Sequence, residues 1–355
     1  MKRTKYFLAA TILLVSTSLY ATTRVVNNSN ANPGQFYYLQ AAIDSSSNGD
    51  TLMIQPSANN YGNVVLDKSL TLIGIGHKPV KDLPLVASIT SITMGQYTTG
   101  MTLIGLKISQ FLTPCNAYGN WSYNSGITIR NCQLDYFGTN NPNNCYGFNS
   151  MSDIVVENCF LKGFGLSNTG NNALIQNCIF EAYGASFGDG VTNVVVKNNL
   201  FMYESLVGNL SANGAIFENN IFFRFSPSSS YGSLNNCVFN NNLTYQTNND
   251  VIVGGTNTGS NNIIGQDPLF VDLNYSSTPL YKPTLYNFRL QELSPGHNAG
   301  IDGQDVGPYG NSSTYSETGE SNDRPVIRVM NLTNSTVPSG AVLNVHLKAT
   351  PSRND

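Results

Sequence analysis

Five short segments superpose on a shared asparagine: TIRNC (128–132), VVENC (155–159), LIQNC (174–178), VVKNN (195–199) and IFENN (216–220). A weaker copy, LNNC, ends at Cys237. The aligned residues are Asn131, Asn158, Asn177, Asn198, Asn219 and Asn236, at spacings of 27, 19, 21, 21 and 17. Self-similarity with a period of about 20 residues constrains the chain to a solenoid, because one such unit cannot bury its apolar face until others stack on it. The unit reads as strand: β-branched residues dominate, Gly and Asn interrupt at short intervals, and no apolar run holds a helical period.

The rows then assign themselves to faces. Two residues before each Asn stand Ile129, Val156, Ile175, Val196 and Phe217, and three after it stand Leu134, Leu161, Phe180, Phe201 and Phe222, which predicts a shared interior. The residue just before the Asn runs Arg130, Glu157, Gln176, Lys197, Glu218 and is predicted to face outward. At a strand spacing of about 4.8 Å, Arg130 would lie beside Glu157 and Lys197 beside Glu218, an alternation worth a few tenths of a kcal/mol per pair. Cys132, Cys159 and Cys178 share the next column with Asn199 and Asn220, so those cysteines read as small interior side chains and not as disulfide partners. LTLIGIG (70–76) and MTLIGLKI (101–108) place Gly74 and Gly105 at the aligned position. Gly and Asn both tolerate positive φ, which predicts a sharp bend there, with the carboxamides bonded from coil to coil. Two outward rows are unexpectedly apolar, Val155–Leu174–Val195–Ile216 and Phe160–Ile179–Leu200–Ile221, and call for a cover.

Lys2, Arg3 and Lys5 precede the apolar run FLAATILLV and the small residues of STSLYA, the pattern of a secretory signal peptide. Cleavage is expected after Ala21, with Ser18 as the alternative. In the oxidising compartment this implies, Cys115 and Cys145, in the polar insertions FLTPCNAYGNW and NNPNNCYGF, are the expected disulfide. Only 11% of residues are charged, which excludes the concentrated Lys and Arg of a nucleic-acid binder. No other stretch is apolar enough to span a membrane. The expected organisation is a signal peptide (1–21), a solenoid (22–310), a polar linker (311–324) and a C-terminal β-hairpin tail (325–355) that folds over an outer face of the solenoid, with the first hairpin of an immunoglobulin-like module or an attachment tail as the alternatives.

YLQAAIDSSSNGDTLMI (38–54) followed by LTLIGIG resembles the N-terminal entry of secreted right-handed parallel β-helices of the pectin-lyase-like superfamily, in which an amphipathic helix, here about residues 37–47, caps the open end. At the far end, DPLFVD (267–272), YNFRLQ (286–291) and SPGHNAGIDGQDVGPYG (294–310) resemble the closing signature of the choice-of-anchor Q type of β-helix proteins common in Bacteroidetes. The resemblance spans roughly residues 25–310. It implies an all-β, single-stranded right-handed parallel β-helix with an N-terminal capping helix, to which the tail adds a C-terminal hairpin.

The activities of that superfamily do not carry over residue by residue. Polygalacturonase-like hydrolases need paired aspartates and a Gly-His-Gly, where SFGDGVTN offers one isolated Asp189. The vWiDH-like motif of pectate lyases, the NG-E-x-IR motif of alginate and chondroitin lyases and the methylesterase DFIFG are all missing. What remains is a candidate glycan-binding surface: a column of Asp135, Lys162 and Glu181, with Glu204 and Arg224 nearby, beside a strip of Tyr136, Phe164, Tyr183, Tyr203 and Phe225. Rings and polar groups together suit a sugar; the competing reading turns the aromatics inward as core. His297, Asp302 and Asp305 share one loop, but that loop serves to seal the last coil in the resembled signature, and no metal is expected. Two functional classes stand. The first is a secreted or cell-surface protein, monomeric, that binds polysaccharide or another cell-envelope component without cofactor. The second is a polysaccharide lyase or glycoside hydrolase acting on an acidic polysaccharide, for which alone Ca²⁺ would be expected.

Overall fold

The computed structural model describes residues 21–30, 34–78, 85–113, 122–139, 149–166, 169–181, 185–187, 190–202, 210–227, 234–247, 254–273, 286–312, 315–320, 325–332 and 345–351. Leu39–Asp44 forms the capping helix, with Leu39, Ala42 and Ile43 buried against the first coil, and the first strand after it, Thr51–Ile54, follows Gly49 and Asp50 as expected. Backbone N–H groups of Thr22 and Ser47 converge on the Asp50 carboxylate at 2.7 and 3.0 Å and hold its pKa at about 2. From there the chain winds as a right-handed parallel β-helix.

One wall is an eleven-stranded parallel sheet from Thr23–Val26 to Thr258–Ser260. A thirteen-stranded sheet makes the other side; beyond Gln133–Thr139 it divides into two branches, one through Phe160–Leu161, the other through Phe164–Leu166. The register matches the repeat: Val156 pairs with Ile129 and Ile175, and Val196 pairs with Phe217. These residues are fully buried, as are Leu134, Leu161, Phe201 and Phe222. Phe180, Phe201 and Phe222 stack with centroids 4.5 and 5.1 Å apart, so the coil repeat sets the ring spacing. In the outward row Arg130 Nε reaches Glu157 Oε1 at 2.6 Å, and Gln176 Nε2 donates to Glu157 Oε2 at 2.8 Å.

The interior polar column is a ladder. Asn199 Nδ2 donates to Asn220 Oδ1, Asn220 Nδ2 to Asn242 Oδ1 and Asn242 Nδ2 to Asn262 Oδ1, at 3.0–3.1 Å. Each Oδ1 also accepts the backbone N–H of the coil before it, and each Nδ2 also donates to a main-chain carbonyl of that coil, as Asn220 does to Val196 O at 2.8 Å. The cysteines occupy the same slot: Cys132 N lies 3.5 Å from Cys159 Sγ, and Cys178 N donates to Asn199 Oδ1 at 2.9 Å. Cys132, Cys159 and Cys178 are buried free thiols, and burial raises the pKa of Cys132 and Cys159. Cys115 and Cys145 lie outside the described residues.

The bend column differs from expectation in three ways. Asn131, Asn158, Asn177, Asn198 and Asn219 all hold φ between 52° and 56°, as the Gly/Asn exchange predicts. The next members, however, are Asn241 and Asn261, reached through Asn219 N to Asn240 O and Asn241 N to Ser260 O. Asn236 sits at another corner, in line with Gly214, whose N–H bonds Asn235 O; one coil has two such corners, and LNNC belongs to the other. Gly105 has φ 63°, but Gly74 is required by close approach, since a Cβ there would strike the Gly105 carbonyl. Finally, the carboxamides of four members are directed away from the coil-to-coil bonding expected of them. Asn131, Asn177, Asn219 and Asn241 bond a segment that runs back along the outside, described below.

The tail strands Pro325–Leu332 and Val345–Pro351 pair antiparallel as a hairpin. Within the stretch expected as a linker, Tyr315, Ser316 and Glu320 are buried.

The ladder generates the first prediction. Asn220→Leu leaves the N–H of Asn199 and the carbonyl of Val196 unpaired in the core, at about 1–3 kcal/mol each. Asn220→Cys, the residue used three coils earlier, retains a weak acceptor. Urea denaturation is expected to show the leucine variant losing at least twice the stability that the cysteine variant loses.

Candidate functional site

The apolar row Phe160, Ile179, Leu200, Ile221 faces outward as predicted, yet every member is at most 4% exposed. Among the described residues the cover is the chain's own closing segment. Phe270 and Phe288, from the antiparallel pair Phe270–Asp272 and Asn287–Leu290, pack on it with Val306 and Tyr315. Residues 299–312 and 315–320 then run as a strap without helix or strand from the last coils toward the first. An irregular strap must satisfy its backbone polar groups elsewhere, and the bend column does this. Asn241 Nδ2 donates to Ala299 O at 2.8 Å, and Asn219 Oδ1 accepts from Ile301 N at 3.0 Å. Asn177 and Asn311 exchange amide hydrogen bonds at 2.9 and 3.1 Å, and Asn131 Nδ2 donates to Glu320 O at 2.8 Å. The second apolar row remains open: Val155, Leu174 and Val195 are half-buried and Ile216 is 36% exposed.

Between strap and outward row lies a cleft of about 340 Å³. The solenoid contributes Gln176, Lys197, Asn198, Glu218 and Asn219; the strap contributes Ile301, Asp302, Gln304, Gly310, Asn311 and Ser312. Three of these lining groups are satisfied, Gln176 by Glu157, Asn311 by Asn177 and Asn219 by Ile301. Others are not. Lys197 and Glu218 are register partners, but among the described residues neither they nor Asp302 enter an ion pair. Asn198 is 4% exposed, yet its carboxamide makes no hydrogen bond among the described residues. Gly310 passes so close to Asp305 O and Asn198 Nδ2 that a side chain there would close this end of the cleft.

The surface expected from sequence is only partly assembled. Asp135 and Lys162 are adjacent and paired at 3.1 Å, with Gln133 Nε2 also donating to Asp135 at 3.1 Å, and Glu181 follows them in the column. The column then continues through Met202 and Phe223, both buried under Phe270 and Phe288, so no groove extends along it. Tyr136 is 37% exposed. Phe164 and Phe225 turn inward, Phe164 stacking on Phe137 at 4.7 Å, because the corner that precedes each, marked at Arg224 by φ 52°, shifts the strand alternation by one residue. Arg224 bonds Gln246 at 2.9 Å and lies over the Phe223 ring. Tyr183, Tyr203 and Glu204 lie outside the described residues. His297 Nδ1 lies 2.7 Å from Asp305 Oδ1 while Asp302 lines the cleft, so the loop trio does not converge, and no metal-binding cluster of three or more His, Cys, Asp or Glu occurs among the described residues. Sequence reasoning found Lys197 and Glu218 as an outward pair but missed the cleft, which exists only because the strap crosses that row.

No protein-family model matches the chain, and no curated protein matches it. Solved structures do. Pectate lyase Pel9A matches at 13% identity and a TM-score of 0.47, over 84% of this chain and 98% of that one. The pectin methylesterase from Aspergillus niger matches at 11% and 0.35, over 67% and 85%. A mannuronic acid-specific polysaccharide family 6 lyase from human gut microbiota matches at 15% and 0.31, over 64% and 56%. The architecture here rests on the strand register itself, and these likenesses assign no activity. No helix among the described residues is long and apolar enough to cross a membrane.

The strap gives two predictions. Tyr315→Ala removes a buried aromatic anchor, a change that costs about 3–5 kcal/mol; enhanced binding of a hydrophobic dye and faster proteolysis within 299–320 are expected at temperatures where the coils stay folded. At the strap's far end, His77 is buried beneath Thr318 and Gly319, with neither ring nitrogen hydrogen-bonded. Burial first, then Lys78 and Lys107, pushes its pKa down from 6.5 to about 3. The unfolded chain therefore takes up a proton that the folded chain refuses. Stability from this site is intact above pH 6.5 and falls progressively toward pH 3. Denaturant titrations between pH 7 and 4.5 are expected to show this slope, and His77→Phe to flatten it.

Proposed function

We propose that this chain is an exported β-helix protein that binds a glycan in the cleft between strap and coils, without a cofactor. The observation that carries this reading is the set of polar groups left unpaired there. Among the described residues the Asn198 carboxamide has no hydrogen-bond partner and opens onto a cleft beside an amine and two carboxylates that likewise have none. Hydroxyl-rich ligands satisfy such a set, since each sugar hydroxyl both donates and accepts. The cleft lies on a rigid wall of hydrogen-bonded strands, so little ordering is needed on binding. Elimination chemistry on a uronate needs a base and a proton donor around one carbon; the described lining residues supply a lysine and carboxylates but no tyrosine, which favours binding over turnover. The signal-like N-terminus supports a location outside the cytoplasm or at the cell surface.

A glycan array followed by calorimetry on the full chain tests the reading. Asn198→Gly removes the carboxamide while keeping the positive φ, and Lys197→Ala removes the amine; each is expected to weaken binding about tenfold or more, the cost of one to two hydrogen bonds. Loss of binding in Asp135→Ala with full binding in Asn198→Gly would move the site to the Asp135–Lys162–Glu181 column. Release of unsaturated or reducing ends from the bound glycan would replace binding with catalysis.

A further inference from the structure

The reading above leaves open which glycans the cleft accepts. We infer that it selects neutral sugars, carrying only hydroxyl or N-acetyl groups, and rejects polyuronates; this rests on the cleft being the glycan site.

The charges in the cleft argue for it. Lys197 is the one cation among its described lining residues, and it faces two carboxylates, Glu218 in the adjacent strand and Asp302 on the strap. Along the same outward row the flanking charges add no positive field. Arg130 is taken by Glu157 at 2.6 Å, and beyond Glu218 the row continues through Asn240 and Ser260. A uronate chain lying along the solenoid axis would present a carboxylate on each sugar to a row holding one unpaired cation against two carboxylates. Like charges brought close together repel at the moderate effective dielectric of a protein surface. A repulsive element of this kind is how a site discriminates between ligands of similar shape.

The neutral groups argue for it independently. The carboxamides of Asn198 and Gln304 line the cleft without a hydrogen bond among the described residues, and the Ser312 hydroxyl joins them. Amides and hydroxyls pair with hydroxyl and acetamido groups at no cost of charge burial. A carboxylate-binding site would instead concentrate arginine, whose fork matches carboxylate geometry, and no arginine is among the described residues that line this cleft.

The test measures affinities of the full chain for length-matched neutral and uronate oligosaccharides: cello-, manno- and chito-oligomers against oligogalacturonate and oligomannuronate. Neutral oligomers are expected to bind at least tenfold more tightly. The double variant Glu218→Gln, Asp302→Asn is expected to reduce that ratio about tenfold, and raising the salt concentration to reduce it in the unmodified protein, because both remove or screen the repulsion. Glu218→Gln and Asp302→Asn singly, each isosteric and at the surface, give intermediate ratios and a second reading should the double variant fold poorly. Tighter binding of uronates, or a ratio unmoved by the variants and by salt, overturns the selection while leaving a glycan site in place. Failure of every oligomer to bind overturns the glycan site and the selection together.

Discussion

Everything outside the coils depends on one arrangement, an asparagine at positive φ in each successive turn with its carboxamide directed outward at the seam. The left-handed corner lets the chain pass from one wall to the next without a long loop. Asparagine bears that conformation better than other side-bearing residues, and unlike glycine it brings a donor and an acceptor with it. Because the turns are in register, these groups form a straight seam. A chain segment with no secondary structure of its own can be held along that seam, as Asn131, Asn177, Asn219 and Asn241 hold the strap.

The two asparagine columns divide the polar work between inside and outside. Asn199, Asn220, Asn242 and Asn262 bond one another and the main chain beneath them, so they stiffen the coils. The thiols of Cys132, Cys159 and Cys178 fill the same position with weaker acceptors. The bend column, one residue earlier, makes bonds to residues far along the chain and binds the cover in place. Covering the row from Phe160 to Ile221 removes an apolar stripe from water, and the same strap then overhangs the neighbouring polar row. The cleft is a by-product of that closure: Lys197, Asn198 and Glu218 would be ordinary surface groups if Asp302 and Gln304 did not stand opposite them.

How far the sequence could be read follows from the range of each contact. The interior rows, the outward row with its Arg130–Glu157 pair, the cysteine–asparagine column and the capping helix were all legible, since each is set by a local pattern repeated at nearly constant spacing. Asn236 was misplaced because two corners of one coil carry the same Asn/Gly chemistry, and a short motif does not tell them apart. Phe164 and Phe225 were ambiguous because Gly163 and Arg224 shift the parity where one wall gives way to the next. The sugar-binding column at Asp135 was a correct adjacency but an incomplete site, since burial of Met202 and Phe223 depends on a segment far downstream.

The sequence by itself determined the solenoid, its inside and outside, and the need for a cover over two apolar rows, because those properties recur every coil and involve only neighbouring strands. Tertiary structure decided which segment covers which row and therefore where a ligand can sit. Those contacts join residues 134 positions apart at Asn177–Asn311 and 189 apart at Asn131–Glu320, and they occur once. A pattern that occurs once has no period to betray it, so the strap's path is set by the summed fit of its apolar anchors and its backbone to the seam.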